Sequence, residues 1–131
     1  MYKNILCAID NTPESEAILS KASSLAKQNS CKLSVVHIIE YTILPKDYQK
    51  QLEEEALPKM AAIAEKFNIP SKNRYIKFGQ SYPVICQLEE KLGIDLIVIG
   101  SHGKNGFQAL LGSTANGVLQ RAKGDVLLIK V

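Results

Sequence analysis

Cysteine is scarce in this chain and poorly placed for chemistry. Cys7, Cys31 and Cys86 are an odd three, with no C-x-x-C pair. That argues against a disulfide framework or a metal site and fits reduced thiols in a cytosolic protein. Long apolar runs are missing too: none approaches the roughly 18 residues that a bilayer span needs. The opening residues lack a signal-peptide pattern, since Lys3 sits inside a strand-like run. A cytoplasmic protein with no membrane partner is expected. Charge of one sign is also lacking. The net charge is +3 and the lysines are scattered, so no dense basic face suggests a nucleic-acid partner. No nucleophile elbow, zinc signature or paired-carboxylate pattern appears. The 131 residues show no second composition block, which predicts one domain over residues 1–131, burying roughly two thirds of its unfolded surface. The hydrophobic share of 46% and the charged share of 22% are ordinary for a globular chain.

What the sequence does have is concentrated in Leu96-Ile97-Val98-Ile99-Gly100-Ser101-His102-Gly103-Lys104-Asn105-Gly106, followed by Leu111-Gly112-Ser113-Thr114. The first four residues read as a strand buried on both faces. Gly100, Gly103 and Gly106 then recur every third residue. Ser113 or Thr114 offers a hydroxyl at the start of a helix. Without Cβ atoms in the way, backbone N–H groups of such a loop can approach an anion closely. The helix N-terminus behind it adds about half a unit of positive charge. A phosphate cradle is the reading; a tight structural turn explains the same spacing. Two known phosphate loops are excluded. The P-loop fails because Val98 stands at its first glycine and Asn105 follows Lys104. The dinucleotide fingerprint fails because the spacing here is G-x-x-G-x-x-G, and comes late.

Ile5 to Ile9 reads as a first strand, ended by Asp10-Asn11-Thr12-Pro13. Thr12 as N-cap and Pro13 at the first helical position start a helix over about 13–28. Leu33 to Ile39 is a second strand containing His37, a hydrogen-bonded strand residue rather than a ligand. A helix follows from Asp47 to Phe67, with Leu52, Ala56, Ile63 and Phe67 on one side. Pro58 should kink or break it, with a bend near Glu54 to Leu57. Arg74 to Phe78 has the charges of an exposed edge strand. A helix bearing Val84, Ile85, Leu88 and Leu92 ends at Gly93. Then come the strand Ile94 to Ile99, a last helix through Ala115, Val118 and Ala122 ended by Gly124, and a fifth strand, Val126 to Ile129.

This strict alternation predicts an α/β protein: a five-stranded parallel sheet with helices on both faces, doubly wound, with right-handed crossovers. Ligands in such sheets sit beyond the carboxyl ends of the strands, where the winding reverses. Asp10 and Gly100 are the strand ends with distinctive chemistry.

Met1-Tyr2-Lys3-Asn4-Ile5-Leu6-Cys7-Ala8-Ile9-Asp10 resembles the start of the universal stress protein family. So do Ser34-Val35-Val36-His37-Ile38, Asp95-Leu96-Ile97-Val98-Ile99-Gly100-Ser101-His102-Gly103, Leu111-Gly112-Ser113 and Asp125-Val126-Leu127-Leu128-Ile129. The resemblance covers essentially the whole chain. It implies a fold of the adenine-nucleotide alpha-hydrolase type, with the first and fourth strands adjacent, and a homodimer paired through Val126 to Val131. The family's ATP-binding pattern is Gly, two residues, Gly, nine residues, Gly, Ser or Thr. Gly100, Gly103, Gly112 and Ser113 fit it, except that only eight residues separate Gly103 from Gly112. The resemblance implies an adenine slot from Ala8, Ile9, Ile38 and Ile99. It places Asp10 near the ribose or a hydrated Mg2+, and His102 by the phosphate or solvent. Gly100, Gly103, Gly112, Ser113, Thr114 and Ala115 would hold the phosphates of ATP, ADP or AMP. The loop has no arginine and the site a single carboxylate, short of what fast phosphoryl transfer needs. The expected function is therefore a dimeric stress-response module that binds nucleotide and is not an enzyme. The alternative is a dimeric interaction protein whose pocket is vestigial.

Overall fold

Alternating apolar residues in the strands decide which helix covers which side of the sheet. The computed structural model describes residues 1–40, 45–101 and 112–130. In chain order these form β1 (Asn4–Ile9), α1 (Pro13–Asn29), β2 (Lys32–Ile39), α2 (Lys46–Glu65), a 3-10 turn (Ser71–Asn73), β3 (Arg74–Phe78), α3 (Ser81–Leu92), β4 (Leu96–Gly100), α4 (Ser113–Arg121) and β5 (Asp125–Ile129). The five strands lie in the order β3-β2-β1-β4-β5, and each adjacent pair is parallel. Ile5, Cys7 and Ile9 of β1 pack with Ile18, Leu19 and Ala22 of α1 and Met60 of α2. Leu6 and Ala8, pointing the other way, pack with Ile85 and Leu88 of α3 and Val118 of α4. This is the period of two expected of a strand, with both faces apolar because both are covered.

β1 pairs with β4 from Ile5↔Leu96 to Cys7↔Val98. The chain after β1 turns to one face, into α1, and the chain after β4 turns to the other, towards α4. The winding reverses between them, which opens a crevice at the strands' carboxyl ends. β3, the expected edge strand, does lie at an edge of the sheet.

Expectations for three elements need correction. α2 runs unbroken through Pro58. The hydrogen bond that Pro58 cannot donate belongs to the carbonyl of Glu54, and both residues are exposed, so water can take its place. The buried residues of α2 are Ala56, Met60 and Ala64, and Ile63 and, just past the helix, Phe67 pack against the core as expected; Leu52 is only half-buried, and the helix stops at Glu65. β4 starts at Leu96, not Ile94. Ile94 still belongs to the turn after α3, its N–H donating to the Glu89 carbonyl. Asp95 is occupied in pinning β1: its carboxylate accepts the N–H groups of Lys3 at 2.9 Å and Asn4 at 3.2 Å. Finally, α4 ends at Arg121 with Ala122 as its C-cap, so Gly124 does not terminate it. A Cβ on Gly124 would lie 3.1 Å from the Asp95 carbonyl oxygen and 3.2 Å from Glu89 Oε2, so this glycine serves close approach. The glycine that does cap a helix in the left-handed conformation is Gly93, at φ 66 after α3.

Candidate functional site

The N-terminus of α1 organises one wall of the crevice. Asp10 follows β1 directly, and its Oδ1 accepts three hydrogen bonds: from the Thr12 hydroxyl at 2.6 Å, the Ser15 hydroxyl at 2.9 Å and the Thr12 N–H at 3.2 Å. Ser15 is fully buried. Its Oγ in turn accepts the N–H of Thr12 at 3.2 Å and that of Asp10 at 3.3 Å. Asp10 thus braces the start of α1, whose N-cap is Thr12 as expected. That duty uses Oδ1 alone; among the described residues Oδ2 receives no donor. Asn11 makes the turn possible by adopting φ 59, a conformation that asparagine tolerates better than most residues.

The opposite wall is the start of α4. Gly112 is its N-cap, with φ −63 and ψ 157, and its N–H donates to the Ser101 carbonyl at 2.9 Å. That bond ties the start of α4 to the end of β4. Ser101 also donates its N–H to the Ile129 carbonyl of β5 at 2.9 Å. A helix begun by glycine has no side chain over its first turn, so the amides of Ser113, Thr114 and Ala115 are available to an anion.

Between these walls lies a cavity of about 830 Å³, bounded by Asp10, Asn11 and Thr12 on one side and Gly112, Ser113 and Thr114 on the other. His37 to Glu40 at the end of β2, Leu52, Glu55, Ala56 and Lys59 of α2, and Ser81 of α3 complete it. That volume is in the range of small-molecule and cofactor sites. A second, apolar compartment of about 100 Å³ adjoins it, the space of about three waters. Ala8, Ile9, Ile38, Ile99, Gly100 and Ala115 line it, with Val36 and Ile85 behind. Asp10, Ile38, Ser81 and Thr114 border both compartments, so they stand at the junction.

The sequence-predicted residues come together here. Ala8, Ile9, Ile38 and Ile99 share the apolar compartment with Gly100 and Ala115, while Gly112 and Ser113 border the larger one and Asp10 and Thr114 border both. His102 and Gly103 lie outside the described residues, as does Val131. Sequence reasoning missed Asn11, Ser15, Glu40, Ser81 and Lys59. Ser15 carried a signal, standing three residues after Thr12 where a capping partner belongs. Glu40 carried none. Its carboxylate reaches across from β2 to accept both the hydroxyl and, at 3.2 Å, the N–H of Ser81 at the start of α3. His37 is hydrogen-bonded within the sheet, as expected: its Nδ1 lies 3.1 Å from the Ile9 carbonyl oxygen, so that nitrogen carries the proton.

Among the described residues no group of three or more His, Cys, Asp or Glu side chains could hold a metal ion. A lone carboxylate oxygen such as Asp10 Oδ2 still suits Mg2+ arriving with phosphates, since that ion is often held by one or two carboxylates plus the ligand's own oxygens. Among those residues, too, no helix is long and apolar enough to cross a membrane.

A parallel five-stranded sheet in this order, with a cavity at its switch point, defines a doubly wound α/β domain of the adenine-nucleotide alpha-hydrolase type. The chain belongs to the universal stress protein family, whose family model matches residues 1–130. It is 36% identical to universal stress protein A homolog 1 of Coxiella burnetii, over 98% of this chain and 96% of that one. Among solved structures, hypothetical protein MJ0577 superposes with a TM-score of 0.83 at 26% identity, covering 100% of this chain and 97% of that one. Universal stress protein UspA from Lactobacillus plantarum shares the fold at a TM-score of 0.76 and 22% identity, with 98% and 97% covered.

Proposed function

We propose that this chain binds an adenine nucleotide, ATP foremost, in the cavity between α1 and α4, and that it works as a dimeric, cytoplasmic stress-response module rather than as an enzyme. The observation that carries the reading is the arrangement around one hollow. An apolar compartment at one end, the junction carboxylate of Asp10, and the open first turn of α4 at Gly112–Thr114 match, in order, a base, a sugar and a polyphosphate. The N-terminus of α4 and Lys59 bring positive charge to the cavity, while the carboxylate of Glu40 is engaged by Ser81 and that of Glu55 by Gln51. Asp10 Oδ2 is the oxygen that would meet a hydrated Mg2+. ADP, AMP and cyclic AMP are the other candidates; a universal stress protein of the same fold is known in complex with cAMP. Turnover is not expected, because among the described residues no arginine lines the cavity and only one of its three carboxylates, Asp10, stands at the junction of the two compartments, which supplies few of the groups that phosphoryl transfer requires. The free edge of β5 is the surface through which a second copy would pair.

The test is titration calorimetry with ATP and Mg2+ on the whole chain and on Gly112→Val. The extended φ and ψ of Gly112 accept valine without backbone strain, so the variant should fold but hinder phosphate at the α4 amides. Micromolar binding by the native chain, weakened at least tenfold in the variant, is expected. Absence of binding, or binding only in the millimolar range, overturns the reading in favour of a dimeric interaction protein with a vestigial pocket.

A further inference from the structure

One buried side-chain oxygen, on a residue that borders the cavity, has no hydrogen-bond partner among the described residues. The side-chain oxygen of Asn11 is the one buried side-chain N or O atom without a hydrogen-bond partner among the described residues, and Asn11 borders the larger compartment. An acceptor cut off from both water and protein costs about 1–3 kcal/mol, and native proteins rarely keep one without a reason. The backbone supplies only part of the reason. At φ 59 glycine would be the easier residue, and what asparagine adds is the carboxamide.

The neighbouring groups indicate what that carboxamide is for. Asp10 stands at the junction of the two compartments, with Oδ1 used by Thr12 and Ser15 and Oδ2 left to the cavity. Asp10 Oδ2 and Asn11 Oδ1 are therefore two acceptors on consecutive residues, Asp10 at the junction of the two compartments and Asn11 bordering the larger one. In a nucleotide the part between base and phosphate is the sugar, and a ribose presents two adjacent O–H donors. The torsion that orients an amide is soft, so the Asn11 carbonyl can turn to a hydroxyl as the ligand enters. We propose that Asn11 is a specificity residue of this site, its side-chain carbonyl accepting one hydroxyl of a ribose beside Asp10, so that the pocket selects ribonucleotides over deoxyribonucleotides. This rests on the nucleotide reading above and adds to it the residue that reads the sugar.

Calorimetry with ATP, 2′-deoxy-ATP and 3′-deoxy-ATP tests it on the native chain, Asn11→Gly and Asn11→Asp. Asn11→Gly suits the backbone and should melt no lower than the native chain. The native protein should prefer ATP over at least one deoxy analogue by about tenfold. Asn11→Gly should bring ATP and that analogue within about twofold by weakening ATP alone. Asn11→Asp, which keeps an acceptor, should retain the preference. Equal binding of all three nucleotides by the native chain, or a preference surviving intact in Asn11→Gly, overturns the role of Asn11 while leaving the nucleotide reading standing. A preference lost in Asn11→Asp overturns it as well, because the amide would then be acting through its N–H donors. Failure of the native chain to bind any of the three brings down both proposals.

Discussion

Replacing Asp10 separates the hydrogen-bonding task that its carboxylate performs at the start of α1 from the ligand-binding task proposed for it. In Asp10→Ala the three donors on Oδ1 lose their acceptor. Thr12 is half-buried, so its hydroxyl and N–H can turn to water at a net cost of about 0.5–1 kcal/mol. Ser15 is at 0% exposure, and its hydroxyl proton is left without a partner, at about 1–3 kcal/mol. The sum is about 1.5–4 kcal/mol. For a chain of 131 residues, between the small and large domains for which the conversion is known, that is a fall of about 5–20 °C in Tm. Asp10→Asn keeps an oxygen in the Oδ1 position and loses only the charge, so about 1 kcal/mol is expected. Urea unfolding followed by circular dichroism reads both, and unchanged m-values would show that stability alone has moved. In Asp10→Asn the Oδ2 position becomes an N–H donor, so affinity for Mg2+ and ATP should fall at least tenfold while the fold is largely retained. Asp10→Ala within 0.5 kcal/mol of the native chain, or Ala and Asn equally destabilising, would refute the division of labour.

Two further expectations follow from packing. Gly117→Ala should destabilise by about 2 kcal/mol in the same urea assay: alanine is the better helix former by about 1 kcal/mol, but its Cβ would stand 2.6 Å from Cδ2 and 2.8 Å from Cβ of Tyr82, and overpacking of this kind costs more. A neutral or stabilised variant would show that α3 and α4 can separate freely. Burial pushes all three thiols up: Cys7 far above the usual cysteine range, Cys31 and Cys86 less, with nearby carboxylates adding to the shift in those two. At pH 8 iodoacetamide should therefore label Cys31 and Cys86 slowly and Cys7 only in urea, as mass spectrometry of native and unfolded samples would show; Cys7 modified as fast as Cys31 in the native protein would contradict its burial. Because the unfolded chain can ionise Cys7 and the folded one cannot, stability should decline as pH rises above about 9.

The architecture was readable because its determinants are local and periodic. The apolar runs at Ile5–Ile9 and Leu33–Ile39 became β1 and β2 with shifts of one residue at their starts. Thr12-Pro13 marked the start of α1 correctly. What escaped was tertiary. Pro58 reads as a helix breaker until the exposure of Glu54 is known. On α2, Ala56 is buried and Ile63 and Phe67 pack against the core as expected, whereas Met60 and Ala64 were missed and Leu52 borders the cavity instead. Asp95 belongs to an apolar run in sequence, yet its carboxylate bonds backbone about 90 residues away. At the site, the apolar positions and Gly112–Thr114 were found from the family resemblance together with the strand–loop–helix pattern. Glu40 and Ser81 were not, since their hydrogen bond spans 41 positions and neither residue type is distinctive alone.

Ser101 links the parts of the molecule whose roles are proposed separately above. It is buried, its N–H bonds the last residue of β5 and its carbonyl receives the N–H that begins α4. Gly100, one residue earlier, pairs with the same Ile129. Phosphate drawn to the amides of Ser113 and Thr114 would pull on a helix whose first bond ends at Ser101. A second copy adding to the edge of β5 would fix the strand that Ser101 holds from the other side. The two events act on one short covalent and hydrogen-bonded connection, Gly100–Ser101 with Gly112 and Ile129, so an influence of nucleotide on pairing requires no large rearrangement of the sheet. By linkage, any such effect must run both ways with the same free energy: if ATP tightens the dimer by a given factor, dimerisation tightens ATP by that factor.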